Sequence, residues 1–479
     1  MPTGEMGVQP EMGAGRGPRA LGFLEKDRIT APPDYNRWLI PPCALATHLC
    51  IGQVYALSVF NLPLTRQLGI TRSVPGDWSL VELGWIFSIA IAMLGLSAAF
   101  LGTWVQKHGP RKSGAAAAVG WGLGFLIGAL GIHLHQLWMV YLGYGFIGGI
   151  GLGIGYITPV STLISWFPDR RGMATGLAIM GFGGGALIAS PLSDSLMKRF
   201  ASPTSTGVVE TWVVLGVIYL LVMLGGAFGY RLPAPEWRPV GWTPPPPRAH
   251  SLITTRNVTP QNAIKTRQFW LLWVVLCFNV TAGIGVLGQA SAMIQEVFRG
   301  KITPGAAAGF VGLLSLFNMA GRFFWASLSD RIGRKATYTC FFTLGPLTYA
   351  LVPLTGRSGS VALFVAAFCI ILTMYGGGFA TIPAYLADVF GAKYVSAVHG
   401  RLLTAWSAAG VLGPVLVNYI REAQIGSGIP RYQAYNVTMY IMAVLLLVAL
   451  LSNLAVKPID ERFAERVEPV PSSSVLGTT

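Results

Sequence analysis

The chain has 479 residues, of which 53% are apolar or aromatic and only 11% charged, with a formal net charge of +15 and a mean hydropathy of +0.56. Soluble domains carry roughly 25% charged residues because a water-facing surface needs them, so a soluble enzyme, a coiled coil and a disordered chain all fit poorly and a polytopic membrane protein fits well. The positive charge is spread over short loops between apolar runs, which argues against a nucleic-acid-binding face.

Residues 1–37 are polar and rich in Gly and Pro, without the apolar core of a cleaved signal, and form an N-terminal tail. A helix needs about 20 apolar residues to cross a bilayer core of roughly 30 Å. Six such runs follow, at 38–61, 82–105, 113–132, 137–159, 172–193 and 211–231. A polar linker, 232–267, then interrupts the pattern, and its Pro244-Pro245-Pro246-Pro247 favours an extended connector. Six more runs occupy 268–294, 306–327, 336–355, 359–384, 397–420 and 436–456, within a second half spanning 268–457, before a tail at 458–479. The runs lack the alternation of a membrane β-barrel, and helices satisfy every backbone polar group within lipid. The expected fold class is an all-α membrane protein with twelve transmembrane helices in two six-helix pseudo-repeats, 38–231 and 268–457. Counting Lys and Arg, 23 fall on the side of the termini and linker and 9 on the other, with Arg322 and Arg401 inside apolar runs. The positive-inside rule then predicts both termini and the linker in the cytoplasm, and the expected location is a plasma (inner) membrane.

The two halves resemble each other at an offset of 224 residues. Gln106-Lys107-His108-Gly109 aligns with Asp330-Arg331-Ile332-Gly333 after each second span, and Pro159 aligns with Pro383 in each fourth. Parallel halves around a midplane cavity are a transporter architecture. The loop Ser329-Asp-Arg-Ile-Gly-Arg-Lys335 resembles the loop signature of the major facilitator superfamily. Gly151-Leu-Gly-Ile-Gly-Tyr156, Trp166-Phe-Pro-Asp-Arg-Arg-Gly172, Asn318-Met-Ala-Gly-Arg322, Tyr375-Gly-Gly-Gly-Phe379 and His399-Gly-Arg-Leu-Leu-Thr-Ala-Trp406 resemble the oxalate/formate antiporter family and the related monocarboxylate transporters.

Arg322 lies eight residues before Asp330, hence about 12 Å deeper along one helix. A charge at that depth needs a partner or a cavity, and a guanidinium fork matches a carboxylate. The resemblance implies the same role, substrate-anion ligand. Two departures matter. A carboxylate that takes part in proton coupling in the animal monocarboxylate transporters is Asn318 here, and a second cation of the oxalate exchanger is replaced by Trp406. One midplane cation favours a monocarboxylate such as lactate, acetate or formate over oxalate. Tyr55, Tyr156, Phe182, Tyr375, Phe379 and Trp406 occupy positions resembling the family's aromatic cage, and Gln53 and Gln289 are polar residues within the first span of each half. His48 is a candidate for proton coupling, while His399 and Arg401 read as edge residues or a gate. Asp330 with Arg331 and Arg334, and Asp169 with Arg171, read as cytoplasmic latches.

The expected function is secondary transport of a small carboxylate by alternating access, through proton symport or anion exchange. A drug exporter of the same fold and a non-transporting membrane sensor are the rivals. Protons and the lipid bilayer are the other expected partners of a monomeric chain. No enzyme motif stands out: the glycine runs lie inside membrane-length apolar stretches, no metal-ligand spacing links the cysteines, and neither a cofactor nor a metal is expected.

Overall fold

The computed structural model describes residues 22–243, 252–254 and 256–465. The four-proline connector and the outer parts of both tails lie outside the described residues. Among those residues the chain is almost wholly helical, and β pairing is limited to isolated bridges. The long helices of the first half are α1 Arg37–Phe60, α2 Leu80–His108, α3 Pro110–His133, α4 Leu137–Trp166, α5 Arg171–Phe200 and α6 Val208–Gly229. Those of the second are α7 Arg267–Val297, α8 Pro304–Ile332, α9 Arg334–Arg357, α10 Val361–Phe390, α11 Val395–Gly426 and α12 Asn436–Leu454.

Eleven helices among the described residues are long and apolar enough to cross a membrane, and α9 is the long helix that falls short. Its length is sufficient, since 24 residues span about 36 Å. Its hydropathy is lowered by Pro346, Pro353 and five threonines. The hydroxyls of Thr337, Thr339, Thr343, Thr348 and Thr355 each donate to a carbonyl one turn back in the same helix, at 2.7–2.9 Å. The groups that make α9 look polar are therefore satisfied internally, as a lipid environment demands.

The two halves meet along two seams, α5 against α8 and α2 against α11. Small residues let the backbones approach: Gly95 and Gly102 face Ser407 and Ala397, and a Cβ on Gly400 would stand 2.0 Å from the Ala98 carbonyl oxygen. Gly172 and Gly176 play the same part opposite Ala326. The regular stripe Gly145, Gly149, Gly153 lies at neither seam. It packs on Ile89, Met93 and Ser97 of α2, within the first half.

Two further features shape the centre. The first span is α-helical over Ile40–Ile51 and then tightens into a 3-10 helix over Gly52–Phe60. Gly52 permits close contact with α5, because a Cβ there would lie 2.3 Å from the Phe182 carbonyl oxygen. Both tails and both ends of the linker gather at one end of the bundle, the linker end. Leu232 pairs with Ile29 and Ala31, Val258 pairs with Ala464, and the Val258 amide donates to the Phe390 carbonyl at 2.9 Å.

Candidate functional site

Arg322 on α8 is completely buried. Its Nε donates to Asn318 Oδ1 one turn earlier at 3.2 Å, and its Nη1 donates across the seam to the Ile179 carbonyl of α5 at 3.2 Å. Its Nη2 has no hydrogen-bond partner. No carboxylate pairs with it among the described residues; the ion pairs lie elsewhere. The guanidinium instead sits between two ring faces, 5.7 Å from the Phe182 centroid and 5.4 Å from that of Phe379, one ring from each half. Cation–π contacts recover only part of what water would supply.

Around this charge the six predicted aromatic residues form one continuous cluster. Tyr55 meets Phe182 at 5.1 Å, Tyr156 meets Phe182 at 5.5 Å and Trp406 at 5.2 Å, and Phe182 meets Trp406 at 5.4 Å. In the second half Phe379 joins Trp406 at 4.5 Å and Tyr375 at 5.3 Å. Five helices contribute: α1, α4, α5, α10 and α11. The hydroxyls of Tyr55, Tyr156 and Tyr375 are buried without a hydrogen-bond partner, as is the indole N–H of Trp406. Buried polar atoms are nearly always paired. The Tyr55, Tyr156 and Tyr375 hydroxyls are near enough to Arg322 to interact with it, Tyr55 and Tyr375 also with each other, and a guanidinium flanked by hydroxyls is chemically suited to an anion.

The remaining candidates separate. Asn318 serves as the acceptor for Arg322 Nε. Gln53 is buried but turned into the first half, where its Oε1 accepts from Tyr144 at 2.9 Å. Gln289 is half-buried on α7. His48 is fully buried beside Tyr156, with Nδ1 2.7 Å from the Ala178 carbonyl and Nε2 3.2 Å from the Tyr156 carbonyl. His399, read as an edge residue, is instead only 1% exposed and lies 5.9 Å from the Tyr156 ring. The segment His399–Leu402 looks polar in sequence, but α2 and α4 of the other half pack over it.

At the linker end a second constellation joins the halves. The Asp330 carboxylate accepts from the backbone amides of Gly172 and Met173, both at 2.8 Å. These are the first amides of α5, whose own preceding residue Arg170 provides no cap. An aspartate of one half thus caps a helix of the other, where the positive end of the helix dipole favours it. Arg334 bridges Asp330 at 2.6 Å and Asp388 at 3.1 Å, and Arg171 reaches Asp388 across the seam at 3.1 Å. Asp388 is the member that sequence reading missed. Arg331 is exposed, and Asp169 pairs with Arg37 of its own half at 2.6 Å. Beyond this network Lys393 holds Glu465 of the C-terminal tail at 2.8 Å. The Lys393 ammonium donates to the Glu465 carboxylate, which holds that carboxyl below its ordinary value and the ammonium above its own.

Comparison with known proteins agrees with this architecture. The family model described as Major Facilitator Superfamily matches residues 43–414 and again 294–477. The chain is 27% identical over 383 residues to the oxalate:formate antiporter of Oxalobacter formigenes, covering 79% of this chain and 83% of that one. It is 25% identical to monocarboxylate transporter 3 of Rattus norvegicus (84% and 76% covered) and 23% identical to apicoplast pyruvate carrier 1 of Toxoplasma gondii (84% and 87% covered). Among solved structures it superposes on the fucose:proton symporter FucP of Escherichia coli with a TM-score of 0.62 at 15% identity, covering 87% of this chain and 97% of that one. The proton:xylose symporter XylE gives 0.62 at 14% identity, with 86% and 94% covered. These relatives and neighbours are membrane transporters, not enzymes, and the chain belongs to the major facilitator superfamily.

Proposed function

We propose that this multi-pass membrane transporter carries small carboxylate anions, monocarboxylates in preference to oxalate, across the plasma membrane by alternating access. The observation that carries the reading is Arg322: a fully buried guanidinium with no carboxylate partner among the described residues and an Nη2 without a hydrogen bond there. A bound carboxylate would supply the missing charge and accept from Nη2 and from the Tyr55, Tyr156 or Tyr375 hydroxyls. The cage around it suits a small organic group, and Trp406 leaves the site with a single cation. The printed names of three relatives concern carboxylates: oxalate and formate, monocarboxylate, and pyruvate. The excess of Lys and Arg on the linker side supports cytoplasmic termini.

The test is uptake of labelled lactate, acetate, formate and oxalate into proteoliposomes, with wild type and Arg322→Gln. Arg322-dependent uptake of a monocarboxylate is expected. Oxalate as the preferred substrate would overturn the single-cation argument. Absence of flux for every acid from well-folded protein would overturn the carboxylate reading, and drug flux indifferent to Arg322→Gln would place the chain among exporters.

A further inference from the structure

Both ring nitrogens of His48 face backbone carbonyl oxygens, Nδ1 toward Ala178 on α5 and Nε2 toward Tyr156 on α4. A neutral imidazole has one N–H and one lone pair. In that state one of these contacts sets a lone pair against a carbonyl oxygen, and only the imidazolium donates to both. The imidazolium would satisfy both carbonyls at once, while full burial without a carboxylate partner among the described residues works against the charge.

The groups around the ring are few. On α4 there is Tyr156, whose ring lies 5.4 Å away, and on α11 there is His399 beyond it. Arg322 of α8 and His399 are both near enough to act on His48 electrostatically. On α5 the facing residues are Ala178 and Gly181, which carry no charge. On α6 the titratable group toward α1 is Tyr219, near Cys50, and just beyond its end the Tyr230 hydroxyl reaches the Cys43 carbonyl on α1. Cys43, Cys50 and Tyr55 are the titratable neighbours on α1 itself. Arg322 is therefore the one permanent charge facing His48, and it has the same sign as a proton.

From this arrangement we infer that His48 is the proton-binding residue of the transport cycle, and that a carboxylate on Arg322 licenses its protonation. The inference rests on the carboxylate reading of Arg322 and chooses symport over obligatory exchange. With the anion absent, the uncompensated guanidinium opposes a second cation in the same buried region. With the anion bound, that opposition is cancelled and the two carbonyls hold the imidazolium. Proton and anion then bind with positive cooperativity, which linkage makes reciprocal. His48 lies on α1 and the anion ligand on α8, so the pair spans the interface that must open and close. No bond is made or broken beyond the N–H of the imidazolium, and the proton leaves on the side where the anion leaves.

The experiment compares wild type, His48→Gln and His399→Gln in proteoliposomes with labelled lactate, acetate and formate. Uptake is driven either by an inward proton gradient or by counterflow against the same preloaded acid without a gradient. In wild type the gradient should drive accumulation, with apparent affinity improving by up to about tenfold per unit of falling pH. His48→Gln should lose the gradient response, and any counterflow it shows should no longer depend on pH. A gradient response that survives in His48→Gln overturns the inference. So does wild-type counterflow with no response to the gradient, although the carboxylate reading then stands; absence of all flux in wild type overturns both. If His48→Gln does not fold, an infrared difference spectrum on adding lactate, acetate or formate to wild type and His399→Gln decides. An anion-induced imidazolium band in both proteins supports His48, since these are the two fully buried histidines among the described residues. No band in wild type, or loss of the band in His399→Gln, overturns it.

Discussion

Arg322 and Arg334 stand twelve residues apart, on α8 and at the start of α9, and both are largely shielded from water. Arg334 is paired with two carboxylates, Asp330 and Asp388, and its Nη1 donates to Ser329 Oγ at 2.5 Å. Arg322 has one amide oxygen, one backbone carbonyl and two ring faces. The first guanidinium is neutralised by the fold itself and acts as a structural fastener. The second is left with its charge and one donor arm unmatched, a state that is stable only because the surrounding helices hold it. The contrast shows that the chain neutralises the guanidinium at the linker end with its own carboxylates and, among the described residues, supplies none at Arg322.

The comparison can be broken most directly at its two poles. Arg322→Gln should lower carboxylate transport by about a thousandfold, the loss expected when one partner of a buried charge pair is removed. Its ligand-free melting temperature should stay level or rise, because an unmatched charge has gone. A clear drop in melting temperature would mean that Arg322 is a structural residue. Arg334→Gln should do the opposite, destabilising the folded protein by about 3 kcal/mol because Asp330 and Asp388 are left without their cation. Thermal unfolding in detergent measures both.

A smaller effect sharpens the interface between these poles. Asp330→Asn keeps one acceptor for the α5 amides but loses the charge, and should shift the balance toward conformers open at the linker end by about tenfold. Distances between spin labels across the α5–α8 seam would report it. Tyr375→Phe removes one unpartnered hydroxyl from the cage. It should raise the apparent KM by about threefold to tenfold with stability unchanged or slightly improved. A large loss of stability there would show that the hydroxyl is satisfied in the folded state.

The smallest effect belongs to Lys393 and Glu465, which lie near the surface. Glu465 has a lowered carboxyl, so its contribution is present above the ordinary carboxylate value of about 4.3 and is lost as the pH falls through the lowered one. Lys393 is raised, so its contribution is present below about 10.4 and is lost as the pH rises through the raised value. Between these limits the tie should be flat with pH. With solvent screening, Glu465→Gln should change stability by less than about 1 kcal/mol, read as a slight gain in protease access to the C-terminal tail.

The helical runs and the position of Arg322 within one of them were legible in the sequence, because hydropathy repeats and a lone charge in an apolar run are local signals. The cage was legible only through motif resemblance. Its rings come from five helices, and no spacing along the chain pairs Tyr55 with Phe182 or Tyr156 with Trp406. Asp388 escaped because it looks like any acid near a helix end, whereas its partner Arg171 is 217 residues away. The burial of His399, read as an edge residue or a gate, was hidden for a related reason. Its sequence neighbours Gly400 and Arg401 suggest a water-facing turn, yet burial there is imposed by helices of the opposite half.

The tightened stretch Gly52–Phe60 of the first span stores length. A 3-10 helix rises about 2.0 Å per residue and an α-helix about 1.5 Å, so nine residues reverting to α geometry would shorten the span by about 4.5 Å. The same change would unwind the screw by about 20° per residue, carrying the Tyr55 hydroxyl out of the cage without moving the α1–α5 contact at Gly52. The hydrogen-bond register of nine residues thus sets where one ring of the cage stands relative to the α1–α5 contact.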